Sequence, residues 1–184
     1  MLSLTVLSVV WKLLYEPSTA TGAGLFNGLL TSVHIRPQPF LTSVKQAMPA
    51  IAAMSIWQGL GLQMMIFLSA LQQVPKELAE AAFLDGAGRW RRFWSVTFPA
   101  IAPTGMFVVI VTTVFALKLF VQPFLMTRGG PQGSTISMVQ YIYETAFYER
   151  DLGLACAAGA IFFVAVALLT LIQRRLTVAT EAWQ

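Results

Sequence analysis

The chain has 184 residues, of which 57% are hydrophobic and only 11% charged, and its mean hydropathy is +0.69. A water-soluble domain carries about 25% charged residues, so this composition excludes a soluble globular domain and implies several bilayer spans. The formal charge of +4 does not indicate a nucleic-acid partner, because the basic residues lie at span ends and in one loop rather than in a stripe.

Residues 1–15 read as a short apolar helix. At 1.5 Å per residue it covers roughly 22 Å, less than the roughly 30 Å hydrocarbon core. It has neither a basic leader nor an A-x-A cleavage site, so it is not a signal peptide; it reads as the end of a span whose beginning is missing. Glu16-Pro17 and the turn-rich Ser18 to Gly24 close it. The loop-like interval 16–43 holds an Asn27-Gly28 turn signal and a short interfacial helix over Leu25 to Leu30. His34, beside Arg36 and Pro37, is an exposed loop residue rather than a ligand or base. A second span covers Val44 to Leu71. Spanning helices tolerate its Pro49, Gly59 and Gly61 where neighbouring helices re-satisfy the backbone, and Ala50, Ala52, Ala53 and Ser55 let another helix approach closely.

The polar interval 72–98 follows. Pro75 starts a helix, since its missing N–H costs nothing in the first turn. Glu77 and Glu80 complement the dipole at that end, and Ala79, Ala81 and Ala82 keep the helix thin. Gly86 permits a positive φ and a sharp turn. A second short helix puts Arg89, Arg91 and Arg92 on wet faces and leaves Trp90, Phe93 and Trp94 to pack. Two readings stay open on physical grounds: a plug for a cytoplasmic pocket in another protein, or an interfacial loop with a solvated charged face.

A third span runs from Pro99 to Met126. Lys118 lies well inside it, where a charge is costly and usually lines a cavity; the alternative is that it snorkels or pairs with another subunit. The loop Arg128-Gly129-Gly130-Pro131 comes next, then an amphipathic piece over Ile136 to Tyr148. Its Tyr141, Tyr143, Phe147 and Tyr148 suit the headgroup zone. The last span, Leu152 to Ile172, opens on small residues and contains the single cysteine, Cys156, which excludes a disulfide framework or a zinc site within the chain. Arg174-Arg175 ends it. Basic residues at 76, 89, 91, 92, 174 and 175 outweigh Arg36, Lys45, Arg128 and Arg150 on the other side, which places the polar interval and the C-terminus in the cytoplasm. With four spans the N-terminus lies there too. The chain has no phosphate loop and no nucleophile–base pair, so it is not read as an enzyme. Its spans also lack the acids and histidines that a membrane-embedded enzyme needs.

The string Glu80-Ala81-Ala82-x-x-Asp85-Gly86-Ala87, then Phe93, then Thr97-Phe98-Pro99 with Pro103, resembles the EAA signature of ABC importer permeases, most closely the carbohydrate-uptake type. Trp57, Gly59 and the run Leu71 to Pro75 agree with that subfamily. So do Phe120, Thr127-x-Gly129-Gly130-Pro131, Tyr143, Phe147 and Gly153-x-Ala155. The ending Arg174-Arg175-Leu176 resembles the maltose-permease-F and glycerol-3-phosphate-permease-A branch.

The resemblance implies an all-α integral membrane fold with about four transmembrane helices. Residues 1–184 would form one permease domain, with 75–98 as a cytoplasmic coupling loop. That loop would dock in a cleft of a cytoplasmic ABC ATPase dimer, whose closure rocks the spans from inward- to outward-facing. It also implies a homologous second permease subunit and an extracytoplasmic substrate-binding protein, in the plasma membrane of a bacterium. ATP would be bound and hydrolysed by the partner subunit, so no cofactor and no metal is expected on this chain. Carried over, Glu80 would pair with a basic group of the ATPase, Ala81 and Ala82 would give close contact, and Gly86 the turn; Asp85, Arg89 and Pro99 complete the coupling set. The maltose branch touches sugar with the matching part of the third span. Lys118, Gln122, Leu62 and Gln63 are therefore the candidates to line a pathway for a sugar, sugar phosphate or glycerol phosphate, and Trp57 is expected to pack. Two departures stand out. About four spans replace about six, so a fragment, an internal start or a non-transporting membrane-inserted remnant is the alternative expectation. Val121 and Pro123 depart from the family pattern, so the outward half of the third span is expected to differ in shape.

Overall fold

The computed structural model describes residues 3–17 and 24–181. The turn-rich segment 18–23 lies outside them, as do the side chains of Ala79 and of residues 176–181. Among the described residues the chain is entirely helical: α1 (Leu4–Leu14), α2 (Leu25–Ser32), α3 (Ala47–Gln72), α4 (Lys76–Leu84), α5 (Arg89–Arg92), a π-helical turn (Phe93–Thr97), α6 (Phe98–Leu117), α7 (Val121–Met126), α8 (Met138–Phe147) and α9 (Leu152–Glu181). Three stretches are long and apolar enough to cross a membrane: Ala47–Gln72, Arg89–Met126 and Leu152–Arg175. Leu4–Leu14 is the shorter apolar helix that the sequence indicates.

The chain divides into two compact units. The first comprises residues 1–58 and 117–164. Its core gathers Leu7, Tyr15, Ala50, Ile51, Met54 and Met126, with Trp11, Phe26, Phe40, Leu41 and Leu119 packed against it. Tyr15 buries its ring there and donates its hydroxyl to the Ala50 carbonyl at 3.1 Å, which meets the need of a buried phenol for a partner. Trp57 stacks on Trp11, ring centroids 5.6 Å apart, so it packs as expected while remaining half exposed.

The Asn27-Gly28 pair is not a turn: both residues lie inside α2. Asn27 is fully buried, and its amide donates to the Glu16 and Gln38 carbonyls and accepts from the Gln38 N–H at 2.8 Å. An asparagine that satisfies three backbone groups has a tertiary role that outweighs its turn preference.

The second unit comprises residues 59–116 and 165–184. Gln63 of α3 donates to Thr112 of α6 at 3.0 Å, and Gln173 of α9 donates to Thr113 at 3.1 Å. Adjacent hydroxyls on α6 thus tie it to two other long helices, as polar side chains do between spans. A Cβ at Gly105 would make an ordinary van der Waals contact with the Phe67 ring, at 3.7 Å.

Two expectations about the third span need correction. It does not begin after a loop that closes at Pro99. Helix runs from Arg89 through the π-turn and Pro99 into α6. Pro99 has no N–H to return to the Ser95 carbonyl, and its ring crowds that carbonyl. The chain widens there, and Phe98 N–H bonds to the Phe93 carbonyl five residues back. Nor is the helix unbroken along the stretch that reaches Met126. α6 ends at Leu117, and Phe120 has φ −138° and ψ −56° as the cap of α7. Pro123 explains the break: it cannot bond to Leu119 and would crowd its carbonyl in a continuous helix, whereas in the first turn of α7 it costs nothing.

Candidate functional site

Helix α4 starts at Lys76, one residue later than a proline-first helix, because Pro75 takes the cap position with φ −58° and ψ 130°. Its end is a glycine stop. Gly86 has φ +76°, Gly86 N–H bonds to the Phe83 carbonyl and Ala87 N–H to the Ala82 carbonyl, both at 3.0 Å. That pair of bonds satisfies the last carbonyls of α4 and turns the chain sharply into α5.

The turn brings α5 back along α4. The Arg92 guanidinium carbon lies 5.4 Å from the centroid of the Phe83 ring, a cation–π contact. Lys76, Glu80, Phe83 and Arg92 line a cleft of about 360 Å³. A second cleft of about 300 Å³ is lined by Leu78, Ser95, Val96, Pro99 and Ala100. Beyond α5, Phe93, Trp94 and Phe98 form a run of ring contacts at 5.0–6.3 Å.

Nothing described between residues 75 and 98 is buried. Glu80, Ala81, Asp85, Gly86 and Arg89 are exposed, while Ala82 and Pro99 are half-buried. Leu84 is 84% exposed and Trp90 77%. Trp90 therefore does not pack with Phe93 and Trp94 as the sequence suggested: it is exposed and makes no ring contact among the described residues. Leu84 and Trp90 are thus two large apolar side chains left exposed side by side with the charged groups of the hairpin.

The four candidate pathway residues fall into different units. Lys118 stands exposed in the break between α6 and α7, not inside a continuous helix, and Gln122 is buried on α7. Near that break Phe120 stacks on Phe124, and Tyr143 meets both rings tilted or edge-on, with centroids at 5.1–5.7 Å and Phe147 5.0 Å from Tyr143. In the second unit, Leu62 is half exposed and Gln63 is engaged with Thr112. Among the described residues no group of three or more His, Cys, Asp and Glu stands together as a metal site would require. Sequence reasoning missed the partnership of Phe83 with Arg92 and the pair Thr112-Thr113. Two adjacent hydroxyls in an apolar run were the only signal for the second. For the first there was none, because nine residues and a turn separate the partners.

Comparison with known proteins adds the family context. Residues 1–179 match the family described as "Binding-protein-dependent transport system inner membrane component". The chain is 30% identical over 176 residues to the probable ABC transporter permease protein YurN of Bacillus subtilis, covering 95% of this chain and 59% of the relative. It is 34% identical over 171 residues to the sn-glycerol-3-phosphate transport system permease protein UgpA of Agrobacterium fabrum, covering 92% and 57%. The chain thus spans a little over half the length of these relatives. In fold it is similar to a chain of a bacterial alginate ABC transporter in complex with an alginate pentasaccharide-bound periplasmic protein. The TM-score is 0.84 at 24% identity, covering 96% of this chain and 62% of the other.

Proposed function

The chain belongs to the family of binding-protein-dependent transport system inner membrane components, and from that premise we propose that it is the transmembrane subunit of an ATP-driven importer for sugars or glycerol-phosphate-type solutes. One observation carries the coupling part. The α4–α5 hairpin, turned on Gly86 and exposing Leu84 and Trp90, continues through the π-turn into α6 without an intervening loop. A displacement of the hairpin is therefore passed along hydrogen-bonded backbone into a membrane-length helix rather than absorbed by slack chain. In this reading the hairpin lies in the cytoplasm, docked on an ABC ATPase dimer that binds the ATP. Glu80, Ala81, Ala82, Asp85, Gly86, Arg89 and Pro99 form or shape the docking face. A second permease subunit completes the pathway, and a binding protein delivers the solute from outside.

The pathway part rests on the helix break. A break within a membrane-length stretch leaves backbone carbonyls without helical partners, and discontinuous spanning helices build solute sites in many transporters. Lys118 adds a cation at that place, and Gln122 follows on α7; Leu62 and Gln63 of α3 are the other pathway candidates. A lysine suits a phosphate-bearing solute, in keeping with the glycerol-3-phosphate transport named for UgpA.

Co-purification tests the coupling. The unaltered subunit, expressed with its neighbouring permease, retains the ATPase and stimulates its hydrolysis, and the double variant Glu80→Arg, Gly86→Val loses both. If the double variant still binds and stimulates, the hairpin is not the coupling element. If the unaltered subunit retains no ATPase, a membrane-inserted protein without transport remains. For the solute, the ligand that raises the melting temperature of the neighbouring binding protein identifies the class. Lys118→Gln then raises the transport KM about tenfold for an anionic solute, and no change removes Lys118 from the pathway.

A further inference from the structure

The corner between α8 and α9 is closed by its own backbone. Tyr148 N–H and Glu149 N–H both reach the Glu144 carbonyl, at 2.8 and 3.1 Å, and Asp151 N–H reaches the Thr145 carbonyl at 3.0 Å. The Asp151 carboxylate then accepts from Leu154 N–H at 2.9 Å and opens α9. Two large rings stand at this corner, Phe147 at 69% exposure and Tyr148 at 67%. Tyr143 is their ring partner, with centroids 5.0 and 6.0 Å away.

The charges fix the level of the corner. Leu152–Arg175 is long and apolar enough to cross a membrane, and Glu149, Arg150 and Asp151, immediately before it, are all exposed. Three consecutive exposed charges are too costly within hydrocarbon, so the hydrocarbon boundary falls close to Leu152. Tyr148 lies four residues from Leu152, at most about 14 Å of chain, and the corner folds that chain back. Both rings therefore stay near headgroup level, where aromatic side chains are favoured. Exposed Leu152 and Leu154 carry the same apolar surface on into the span, so it continues a surface that the bilayer covers. Glu149 and Asp151 against Arg150 leave the corner formally negative. Attraction to anionic headgroups does not supply the affinity; the rings do.

Tyr143 also meets Phe120 and Phe124, with centroids 5.1 and 5.7 Å away. Phe120 caps α7 directly after the break that holds Lys118. A run of rings thus joins the exposed corner to the break.

We propose that Phe147 and Tyr148 seat the end of α8 in the headgroup layer of the bilayer, and that Tyr143 ties the helix break to that seat. The inference stands apart from the coupling and solute readings, since it needs only that α9 spans the membrane.

The test uses the complete importer in vesicles of phosphatidylethanolamine and phosphatidylglycerol. Cys156→Ser removes the only cysteine, and a nitroxide is then attached at Phe147→Cys or at Tyr148→Cys. Accessibility to oxygen against a water-soluble nickel chelate should place each label within about 5–10 Å of the headgroup–acyl boundary. Doubling the phosphatidylglycerol share should leave that depth unchanged. A nitroxide at Lys118→Cys reads the tie: its mobility rises with Tyr143→Leu and with Phe147→Ser plus Tyr148→Ser. It stays as it was with Phe147→Trp plus Tyr148→Trp, because tryptophan also favours the interface. The labels at 147 and 148 occupy exposed positions, so their depth decides the seat even where a multiple variant fails to fold. Labels fully open to the chelate overturn the proposal. So does shielding from both probes, which means cover by protein, and so does shielding that appears only when the binding protein is added. A depth that follows the phosphatidylglycerol share would make the corner an electrostatic lipid site, contrary to the proposal. A label at residue 118 that ignores Tyr143→Leu overturns the tie.

Discussion

Two irregular regions of the chain treat their polar and apolar groups in opposite ways. In the segment after α7, Thr135 and Gln140 are fully buried, the Thr127 and Thr135 hydroxyl oxygens lie 2.7 Å apart, and Thr135 donates to the Gly130 carbonyl at 2.9 Å. Asn27 does the same for the segments around Glu16 and Gln38. In the α4–α5 hairpin nothing described is buried, the charged groups are open, and Leu84 and Trp90 are exposed. Both regions turn on a positive-φ glycine, Gly129 in one and Gly86 in the other. The first buries most of its polar side chains and spends several of them on its own backbone and hydroxyls. Ser134 Oγ, Gln140 Oε1 and Thr145 Oγ1 are buried there without a partner among the described residues, and the region reads as scaffold. The second leaves its charged and large apolar side chains exposed, as the proposed docking face requires.

Substitutions in the two regions should therefore differ in kind. The largest effect on stability is expected at Asn27. Asn27→Leu leaves the Gln38 N–H and carbonyl without their partner, the Glu16 carbonyl keeping the Gly24 N–H, and at about 1–3 kcal/mol for each group the loss is on the order of 3 kcal/mol. A melting temperature in detergent that falls by less than about 2 °C would mean that water already reaches these groups. The two glycines give a sharper contrast, because the same Gly→Ala change is made at the same kind of backbone angle. A Cβ on Gly129 would lie 2.6 Å from Ile136 Cγ1 and 2.9 Å from Gln140 Nε2, while one on Gly86 would have nothing within 4 Å. Gly129→Ala is expected to cost about 3 kcal/mol and Gly86→Ala about 1, the latter being backbone strain alone. Equal losses would erase the distinction. Thr135→Val comes next, at about 1–2 kcal/mol, because it leaves the Gly130 carbonyl unpaired in a buried place.

The sequence made some of this visible and hid the rest for physical reasons. Span positions follow from runs of apolar residues, which need no tertiary information, and α3, α6 and α9 lie where those runs are. Gly86 was legible because a glycine after a helical alanine run is a local stop signal. The break at Lys118 was not, since one proline in an apolar run is compatible with a kink, a first turn or a gap. The π-turn was hidden in the same way: Pro99 reads as a boundary, whereas it sits inside helix that widens to accommodate it. Asn27 misled because its turn preference is local and its three bonds are not. At the candidate site the signature from Glu80 to Pro99 is local and stands out in the sequence, but the cleft that Lys76, Glu80, Phe83 and Arg92 make exists only once α5 has folded back.

The smallest effect on stability carries the most weight for the comparison. Trp90 is 77% exposed and, unlike Phe93 and Trp94, has no ring partner among the described residues. Trp90→Ala removes a large side chain that packs on nothing, so the melting temperature of the isolated subunit should stay where it is, within about 0.5 kcal/mol. Binding should not be spared. A tryptophan that becomes buried at an interface is often worth about 2 kcal/mol or more, which corresponds to roughly a thirtyfold loss of ATPase retention. The two measurements together separate the possibilities. A loss of stability without a loss of binding would make the hairpin a second scaffold. A loss of neither would make Trp90 an interfacial anchor in lipid headgroups, and partition of the isolated α4–α5 region into vesicles would then register it. Only unchanged stability with weakened binding agrees with a surface whose free energy is held in reserve for a partner.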